Sequence, residues 1–340
     1  MSVTQKQIAQ HLGISRSLVG SALNDNSTVP AVTRRRVLEA ARELGYNGDA
    51  NRDARALIGR RYGHRSRTRV VGALFSAGTT DHFVCASTFQ GLHRAARSLD
   101  HDVLVLARDV VDGLNLADSL LQDGRCDGYI FVNYVGIRST LEALTAAGIP
   151  AVTCLSTDNP AGVPWIVPDN EGAMRLAVEH LKSLGHRRIA HLTGSLDHSD
   201  AAQRREGFRR AMMDVGLSDH ADCISLGHWR TEPPTPEVLR ALELDVTAIV
   251  CANDHLALHL WEQAERLGKR VPQDLSIIGV DNEPLAVERG LTTITNPFPE
   301  IGAAAMESLL ARERGEPWET ACRKVPVHLV ARRSVGEPRD

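Results

Sequence analysis

The sequence has little of what membrane, secreted and zinc-dependent proteins require. No apolar run approaches the roughly 20 residues that cross a bilayer, and the N-terminal residues lack the apolar core of a secretion signal. The six cysteines are scattered and form no Cys-x-x-Cys pair, which favours buried reduced thiols over a zinc knuckle or a dithiol redox site. We therefore expect a cytoplasmic protein with no membrane contact.

Motifs of catalysis are missing as well. There is no Gly-x-Ser-x-Gly elbow, no Gly-x-x-x-x-Gly-Lys loop and no Gly-x-Gly-x-x-Gly fingerprint. His255 and His259 have the spacing of a metal pair on one helix face, but a third ligand and the glutamate of a His-Glu-x-x-His motif are absent. The sequence therefore predicts a protein that is not an enzyme and holds no metal or cofactor.

Charge is divided unevenly along the chain. Residues 1–69 carry 13 Lys and Arg against 5 Asp and Glu, a net charge of +8, whereas the remainder carries 26 against 37, a net charge of −11. A basic segment on an acidic body is typical of a polyanion-binding module joined to a sensor. A basic segment without a partner is the alternative that composition leaves open.

Three short helices are predicted in the first 47 residues. Thr4 and Gln7 fit a capping box for the first helix, and Ser15 can cap a second helix that runs to about Leu23. A third helix is expected from about residue 32 to 44. The turn of about three residues between the first two helices is the helix-turn-helix arrangement.

In a helix-turn-helix, the second helix enters the major groove of DNA. Its exposed N-terminal residues would be Arg16 and Ser17, with Ser21 one turn further on, and arginine can bind a guanine edge through two hydrogen bonds. The run from Arg34 through Arg35 to Arg36 would meet phosphates, which positions the protein without specifying sequence. A solvated helix face is the alternative for this run.

Several segments of this head occur in a characteristic order, namely residues 8–15, 23–24, 33–37 and 43–46. Together they resemble the head of the lactose-repressor/galactose-repressor family of regulators. The resemblance implies a double-stranded operator as partner and adds Thr33 to the DNA-contacting residues. Residues 18–21, Leu-Val-Gly-Ser, stand where the family usually has a Thr-Val-Ser-Arg-like stretch, so the operator sequence cannot be transferred.

Residues 48–68 have the composition of a linker. Within them, residues 51–57 are similar to the family's Asn-x-x-Ala-Arg-x-Leu hinge helix. The resemblance implies that Arg55 and Leu57 enter the minor groove, where Leu57 would wedge between base steps of a bent duplex. A plain disordered linker is the alternative.

Apolar, β-branched runs alternate with helical stretches in the remaining sequence. Such alternation favours parallel sheets buried on both faces, and about 265 residues is too long for one sheet. Strands are predicted at 70–75, 103–107, 128–132, 151–155, 189–193, 248–252 and 275–280. Helices are predicted at 88–99, 171–184, 203–215 and 255–267. The fold class is therefore α/β, with a three-helix head before the parallel sheets.

The same region resembles the family's sensor, a two-lobed periplasmic-binding-protein-like (type I) domain, through residues 176–181, 184–190, 204–208, 252–254, 271–281 and 291–294. Ligands of such folds sit between the lobes, at the carboxyl ends of strands. Asn253 and Asp281 each follow a strand, so we expect both to face that cleft; capping the next helix is their alternative role. The resemblance implies that Arg204 binds the effector and that Trp229 and Phe298 form apolar walls.

Two departures affect the choice of ligand. Leu155, followed by Ser156, stands where many sugar-binding members carry an aspartate, and the loop 79–83, with Asp81 and Phe83, is this chain's own. The predicted function is a sequence-specific DNA-binding regulator, a homodimeric repressor controlled by a sugar or polyol. A nucleobase or other metabolite as effector, or activation of transcription, remains the alternative.

Three domains follow from these patterns: a DNA-binding head (1–47), a hinge (48–68) and a two-lobed sensor (69–335). A free-standing sugar-binding protein would lack the basic head and would need an export signal. A sugar-metabolising enzyme would need a catalytic pair, and the sequence offers none.

Overall fold

The computed structural model describes residues 3–23, 29–46, 68–75, 83–107, 113–225, 236–317 and 321–339. The chain divides into two compact units, Met1–Thr68 and Arg69–Asp340. Residues 47–67, which include most of the predicted hinge, lie outside the described residues. Among the helices that are described, none is long and apolar enough to cross a membrane.

The first unit contains the three predicted helices, α1 (Gln5–Leu12), α2 (Arg16–Leu23) and α3 (Ala31–Glu43). The capping box is confirmed, since Thr4 N donates to Gln7 Oε1 at 2.7 Å and Gln7 N donates to Thr4 Oγ1 at 3.4 Å. The cap on α2 is also confirmed, because Leu18 N donates to Ser15 Oγ at 3.1 Å. These side chains satisfy amides that the first turn of a helix leaves unpaired.

A small apolar core holds the three helices together. Ile8, Val19 and Val37 are fully buried and come from α1, α2 and α3 respectively. The turn between α1 and α2 contains Gly13 at a φ of 65°, a left-handed conformation that glycine adopts without strain.

The second unit contains two six-stranded sheets, which define two lobes. In the first lobe the strand order is β11-β5-β4-β3-β1-β2, and in the second it is β12-β10-β9-β8-β6-β7. The strands are β1 (Val70–Phe75), β2 (Asp102–Ala107), β3 (Gly128–Val132), β4 (Ala151–Cys154), β5 (Trp165–Pro168), β6 (Ile189–Thr193), β7 (Ala221–Ser225), β8 (Ala248–Cys251), β9 (Ser276–Val280), β10 (Thr292–Thr295), β11 (Arg323–Val325) and β12 (His328–Val330). All described pairings are parallel except that of β12 with β10.

Helices connect and cover these strands, as buried parallel sheets require. They are α4 (Phe83–Ser98), α5 (Gly113–Asp123), α6 (Arg138–Ala146), α7 (Asn170–Ser183), α8 (Ser199–Asp214), α9 (Pro236–Glu243), α10 (Asp254–Arg266), α11 (Pro284–Arg289) and α12 (Phe298–Glu313).

Every predicted strand and helix of the sensor has a counterpart, and the differences are at the ends. Helix α4 begins at Phe83, five residues before the predicted start, and α8 begins at Ser199, four residues early. Strands β5, β7, β10, β11 and β12 and five of the helices were not predicted. Strands β7, β10, β11 and β12 contain charged or polar residues and give no continuous apolar run, whereas β5 is apolar but only four residues long.

The last long helix of the chain, α12, packs in the first lobe although the second lobe precedes it in sequence. It lies against α4 so closely that a Cβ on Gly91 would sit 1.7 Å from Pro299 O, and one on Gly302 would sit 2.0 Å from Thr88 O. Ile301, Ala305 and Leu309 of α12 are buried in the same core as β1 and β3. The chain therefore passes between the lobes near residues 169, 297 and 326.

Candidate functional site

The second helix of the head presents the residues predicted to contact bases. Arg16 and Ser17 are exposed at the N-terminus of α2, and Ser21 is partly buried one turn later. On α3, Arg35 is exposed, whereas Thr33 and Arg34 are partly buried. A short helix that begins with an exposed arginine and serine can present hydrogen-bond donors to a base edge.

Four of the predicted site residues lie outside the described residues. They are the hinge residues Arg55 and Leu57 and the cleft residues Asp81 and Trp229. Their roles stay predictions from the resemblance.

Arg204 lies across the carboxyl end of β8 in the second lobe and is 4% exposed. Its guanidinium donates to the carbonyl of Ala252 through Nη1 and to Asn170 Oδ1 through Nε at 2.8 Å. Asp200, one helical turn before it on α8, places Oδ2 at 4.0 Å from Arg204 Nη2. Three neighbouring groups thus fix the guanidinium at the carboxyl end of β8.

Asp200 is a buried carboxyl that the sequence argument did not single out. Burial raises its pKa to about 6, against the opposing effects of Arg204 and of a 3.0 Å hydrogen bond from Asn170 Nδ2. His191, on β6, interacts electrostatically with Arg204, and burial lowers the pKa of this histidine to about 4. The imidazole is therefore neutral at neutral pH, and its Nδ1 donates to Val250 O at 2.8 Å.

Asn253 follows β8, as predicted, and its side-chain oxygen caps the next helix, which was the alternative role expected from the sequence. Asn253 Oδ1 accepts a 2.8 Å hydrogen bond from Leu256 N and caps α10. The residue is 9% exposed. The cap fixes the side chain at the carboxyl end of the sheet.

Asp281 follows β9 directly and is 6% exposed. Its backbone φ of 120° is one that residues other than glycine rarely adopt. Its carboxylate does not cap the next helix, because the N-cap position of α11 is occupied by Glu283. Instead Asp281 Oδ1 accepts from Asn296 Nδ2 at 2.8 Å. Burial raises the pKa of Asp281 well above its usual value, Asp254 and Glu283 raise it further, and Arg204 and Asn296 lower it.

The first lobe supplies an apolar counterpart. Phe298, at the start of α12, is 2% exposed and meets Phe83 edge to face, with ring centroids 6.1 Å apart. Leu155 follows β4 with a φ of 64° and is buried in the same core. The structure thus brings Phe83 and Phe298 together, and it brings Arg204 within electrostatic range of Asp281.

Hydrogen bonds also cross between the lobes, through residues that the sequence argument missed. Thr157, in the loop after β4, donates from its amide to Ser199 Oγ at 3.0 Å and accepts from Gln203 Nε2 at 2.9 Å. Gln203 Oε1 in turn accepts from Asn170 Nδ2 at 3.0 Å, and Asn170 holds Arg204. A continuous polar chain therefore joins the first lobe to Arg204.

A shallow crevice at this junction is lined by both lobes. The first lobe contributes Tyr134, Leu155, Ser156 and Asp158, and the second contributes Asp197, His198 and Ser199. No group of three His, Cys, Asp or Glu side chains suited to a metal ion occurs in the described residues.

Comparisons with known proteins cover the head as well as the sensor. Residues 178–335 match the model of a periplasmic binding protein-like domain family. The chain is 30% identical to the HTH-type transcriptional regulator MalR of Streptomyces coelicolor, over 93% of this chain and 92% of that protein. It is 29% identical to the HTH-type transcriptional repressor PurR of Aliivibrio salmonicida, over 98% of both proteins.

A solved structure agrees over the full length. The lac repressor dimer bound to operator and the anti-inducer ONPF superimposes with a TM-score of 0.71 at 25% identity, over 99% of this chain and 100% of that chain.

Proposed function

The chain belongs to the lactose-repressor/galactose-repressor family of transcription regulators, and from this membership we propose that it represses transcription from an operator that it binds as a homodimer. The observation that carries the proposal is the helix α2, which begins with exposed Arg16 and Ser17 on a capped three-helix head. One head contacts few base pairs, and two-fold protein symmetry matches a two-fold operator. Such a regulator would act in the cytoplasm.

Selection of bound fragments from a random DNA library tests the DNA-binding proposal. We expect an inverted repeat to be recovered by the full chain. Arg16→Ala should relax base preference at one position in each half-site, whereas Arg35→Ala should weaken binding uniformly and reduce its salt dependence. A recovered site without inverted symmetry would contradict the homodimer.

The hinge offers a second test, because Leu57 is matched to a residue that wedges bent DNA. Leu57→Ala should weaken binding to the selected operator far more than binding to random DNA, since only the specific complex is bent. Equal losses on both DNAs would show that Leu57 is part of an ordinary linker.

The effector is proposed to be a small polyol or sugar that binds between the lobes of the sensor. Arg204, Asn253 and Asp281 would supply hydrogen bonds, and Phe83 and Phe298, with Asp81 and Trp229 from segments outside the described residues, would complete the site. A ligand that weakens operator binding must itself bind less well when operator is present, because coupling between two sites is reciprocal.

A thermal-shift panel of sugars, sugar alcohols and nucleobases tests this part. A ligand at 100 times its Kd adds about 2.7 kcal/mol of stability. A ligand that raises the melting temperature of the unsubstituted chain should no longer do so in Arg204→Ala and Asp281→Ala. An undiminished rise in both variants would place the ligand elsewhere. Hits confined to nucleobases would replace the sugar with a nucleobase and leave the DNA-binding proposal intact.

A further inference from the structure

The face of α2 that carries the predicted base-contacting residues has a gap within it. Arg16 and Ser17 are exposed on this face, and Ser21 lies one turn further on. Because successive residues of an α-helix are turned by about 100°, Gly20 points between Arg16 and Ser17. Glycine has no side chain, so α2 itself offers no group to a base edge at this position.

A side chain from the first helix lies over this gap. Gln5 is the first residue of α1 and is partly buried, and its Oε1 would be 3.5 Å from a Cβ at Gly20. That distance is an ordinary van der Waals contact, so the carboxamide rests against α2 where Gly20 leaves space. The Gln5 amide group is therefore presented beside Arg16 and Ser17.

The Gln5 carboxamide is available to a ligand, whereas that of the nearby Gln7 is engaged. Gln7 Oε1 accepts from Thr4 N at 2.7 Å and from Thr4 Oγ1 at 2.9 Å, and so completes the cap of α1. Within the part of the chain that the structure describes, the Gln5 carboxamide makes no hydrogen bond. It therefore keeps both its donor and its acceptor for DNA.

The chemistry of a carboxamide selects one base. In the major groove, glutamine donates to adenine N7 and accepts from adenine N6 at the same time. The neighbouring guanidinium of Arg16 has donors only and pairs with the two acceptors of guanine. The two side chains are thus suited to different bases, and they extend from different helices of the head.

We propose that Gln5 is a further base-contacting residue that specifies an A·T pair in each half-site of the operator, with Gly20 leaving the space through which its carboxamide reaches the base edge. The proposal rests on the proposed function, because it requires α2 to lie in the major groove. It adds to the recognition helix a specificity-determining residue from α1.

Selection from the random DNA library tests the proposal with the full chain and with Gln5→Ala. We expect Gln5→Ala to lose the adenine preference at one position of each half-site and to keep the preferences at the other positions, including that of Arg16. Gln10→Ala removes an exposed carboxamide from the same helix and should change none of them.

Affinities for two DNAs separate a base contact from support of the fold. On the operator that the unsubstituted chain selects, Gln5→Ala should bind about tenfold more weakly or worse. Replacing the A·T pair by G·C in both half-sites should weaken binding of the unsubstituted chain by a similar factor and leave Gln5→Ala unaffected. A loss that is equal on both DNAs would overturn the proposal, because a phosphate contact or a structural role does not depend on the base.

Gln5→Glu provides a second variant that changes the preference rather than removing it. A carboxylate in the first turn of α1 is favourable for the helix, so this variant should fold. Its preference should move from adenine to cytosine, since a carboxylate accepts from cytosine N4. An adenine preference that persists in both Gln5→Ala and Gln5→Glu would overturn the proposal.

Substitutions of Gly20 test the space that it leaves. Gly20→Ala adds one methyl group at an ordinary contact distance from Gln5 Oε1 and should retain the adenine preference. Gly20→Leu fills the gap and should remove that preference, although leucine is a good helix former. Retention of the preference in Gly20→Leu would contradict the proposed path of the carboxamide.

The outcomes distinguish this proposal from the proposed function. A selected operator with the same base preferences in Gln5→Ala as in the unsubstituted chain would refute the role of Gln5 and leave the repressor intact. Failure of the unsubstituted chain to select any operator would refute the repressor itself.

Discussion

The two lobes of the sensor share a topology and differ in the chemistry that they place at the same position. In each sheet the fourth strand in spatial order from the β2 or β7 edge ends just before a residue with positive φ, Leu155 at 64° after β4 and Asp281 at 120° after β9. The first is a hydrocarbon packed in an apolar core, and the second is a buried carboxylate.

The two lobes therefore differ in the kind of side chain that they place at the carboxyl ends of their strands. The first lobe packs Phe83, Phe298 and Leu155 into one apolar core. The second lobe holds the buried charged side chains of Arg204, Asp200 and Asp281, which are proposed to select the effector.

The largest effect is expected from the apolar wall. Phe298→Ala should lower the free energy of unfolding of the sensor by about 3–5 kcal/mol, because the ring is 2% exposed and its removal leaves a cavity. Denaturant unfolding of the full chain measures it. Leu285→Ala, on a side chain that is 61% exposed in the second lobe, should change stability by less than about 0.5 kcal/mol. A similar small loss at Phe298 would contradict a packed wall.

The buried charged residues of the second lobe should show the opposite effect, because removing a buried carboxylate should raise the free energy of unfolding. Burial raises the pKa of Asp200 to about 6, so the folded state binds this proton more tightly than the unfolded state, and stability falls as pH rises from about 4 to 6. Asp200→Asn should therefore stabilise the sensor at pH 7 by up to about 3 kcal/mol and have little effect at pH 4. Unfolding curves at both pH values measure this, with Asp245→Asn as the exposed control. A gain that does not depend on pH would contradict the assignment to ionisation.

A third experiment concerns the polar chain that joins the lobes. Thr157→Val removes the acceptor of the 2.9 Å hydrogen bond from Gln203 and should cost about 1 kcal/mol. It should also increase the radius of gyration in small-angle scattering, as the lobes separate more often. Thr145→Val removes a 2.8 Å hydrogen bond to Leu141 O within one helix of the first lobe and should leave the radius unchanged. Equal radii for both variants would show that Thr157 does not hold the lobes together.

The smallest effect is expected at two buried cysteines, one in each lobe. Cys154 and Cys251 end β4 and β8, are fully buried, and have thiol pKa values raised by burial. Both should resist alkylation in the native protein and react at the same rate after unfolding, as measured by mass spectrometry of peptides. Selective labelling of one of them in the native state would show that its lobe opens by itself.

Much of the fold followed from local patterns, because buried parallel strands are continuous apolar runs. The prediction for Asn253 was right about its position, yet a propensity argument could not decide between ligand and cap, and its oxygen caps α10. The placement of Asp281 after a strand, and of Leu155 where many family members carry an aspartate, came from single sequence positions and the family resemblance. Their positive φ values depend on the packing of whole sheets and could not be predicted locally.

The contacts around Arg204 could not be predicted from the sequence for a different reason. Asn170 and Thr157 are ordinary polar residues that lie 33 and 46 positions before Gln203, and no motif relates the three.

The exchange of α12 between the lobes has a consequence for how this chain is made. During translation the first 297 residues leave the ribosome before α12 begins, and β1, β3 and α4 must wait for it with an apolar face uncovered. Strands β11 and β12 complete the two sheets later still, so neither half can be finished as a separate module. We therefore expect the sensor to fold as one cooperative body, chains truncated before residue 298 to expose apolar surface, and genetic exchange of a single contiguous lobe to leave both recipients incomplete.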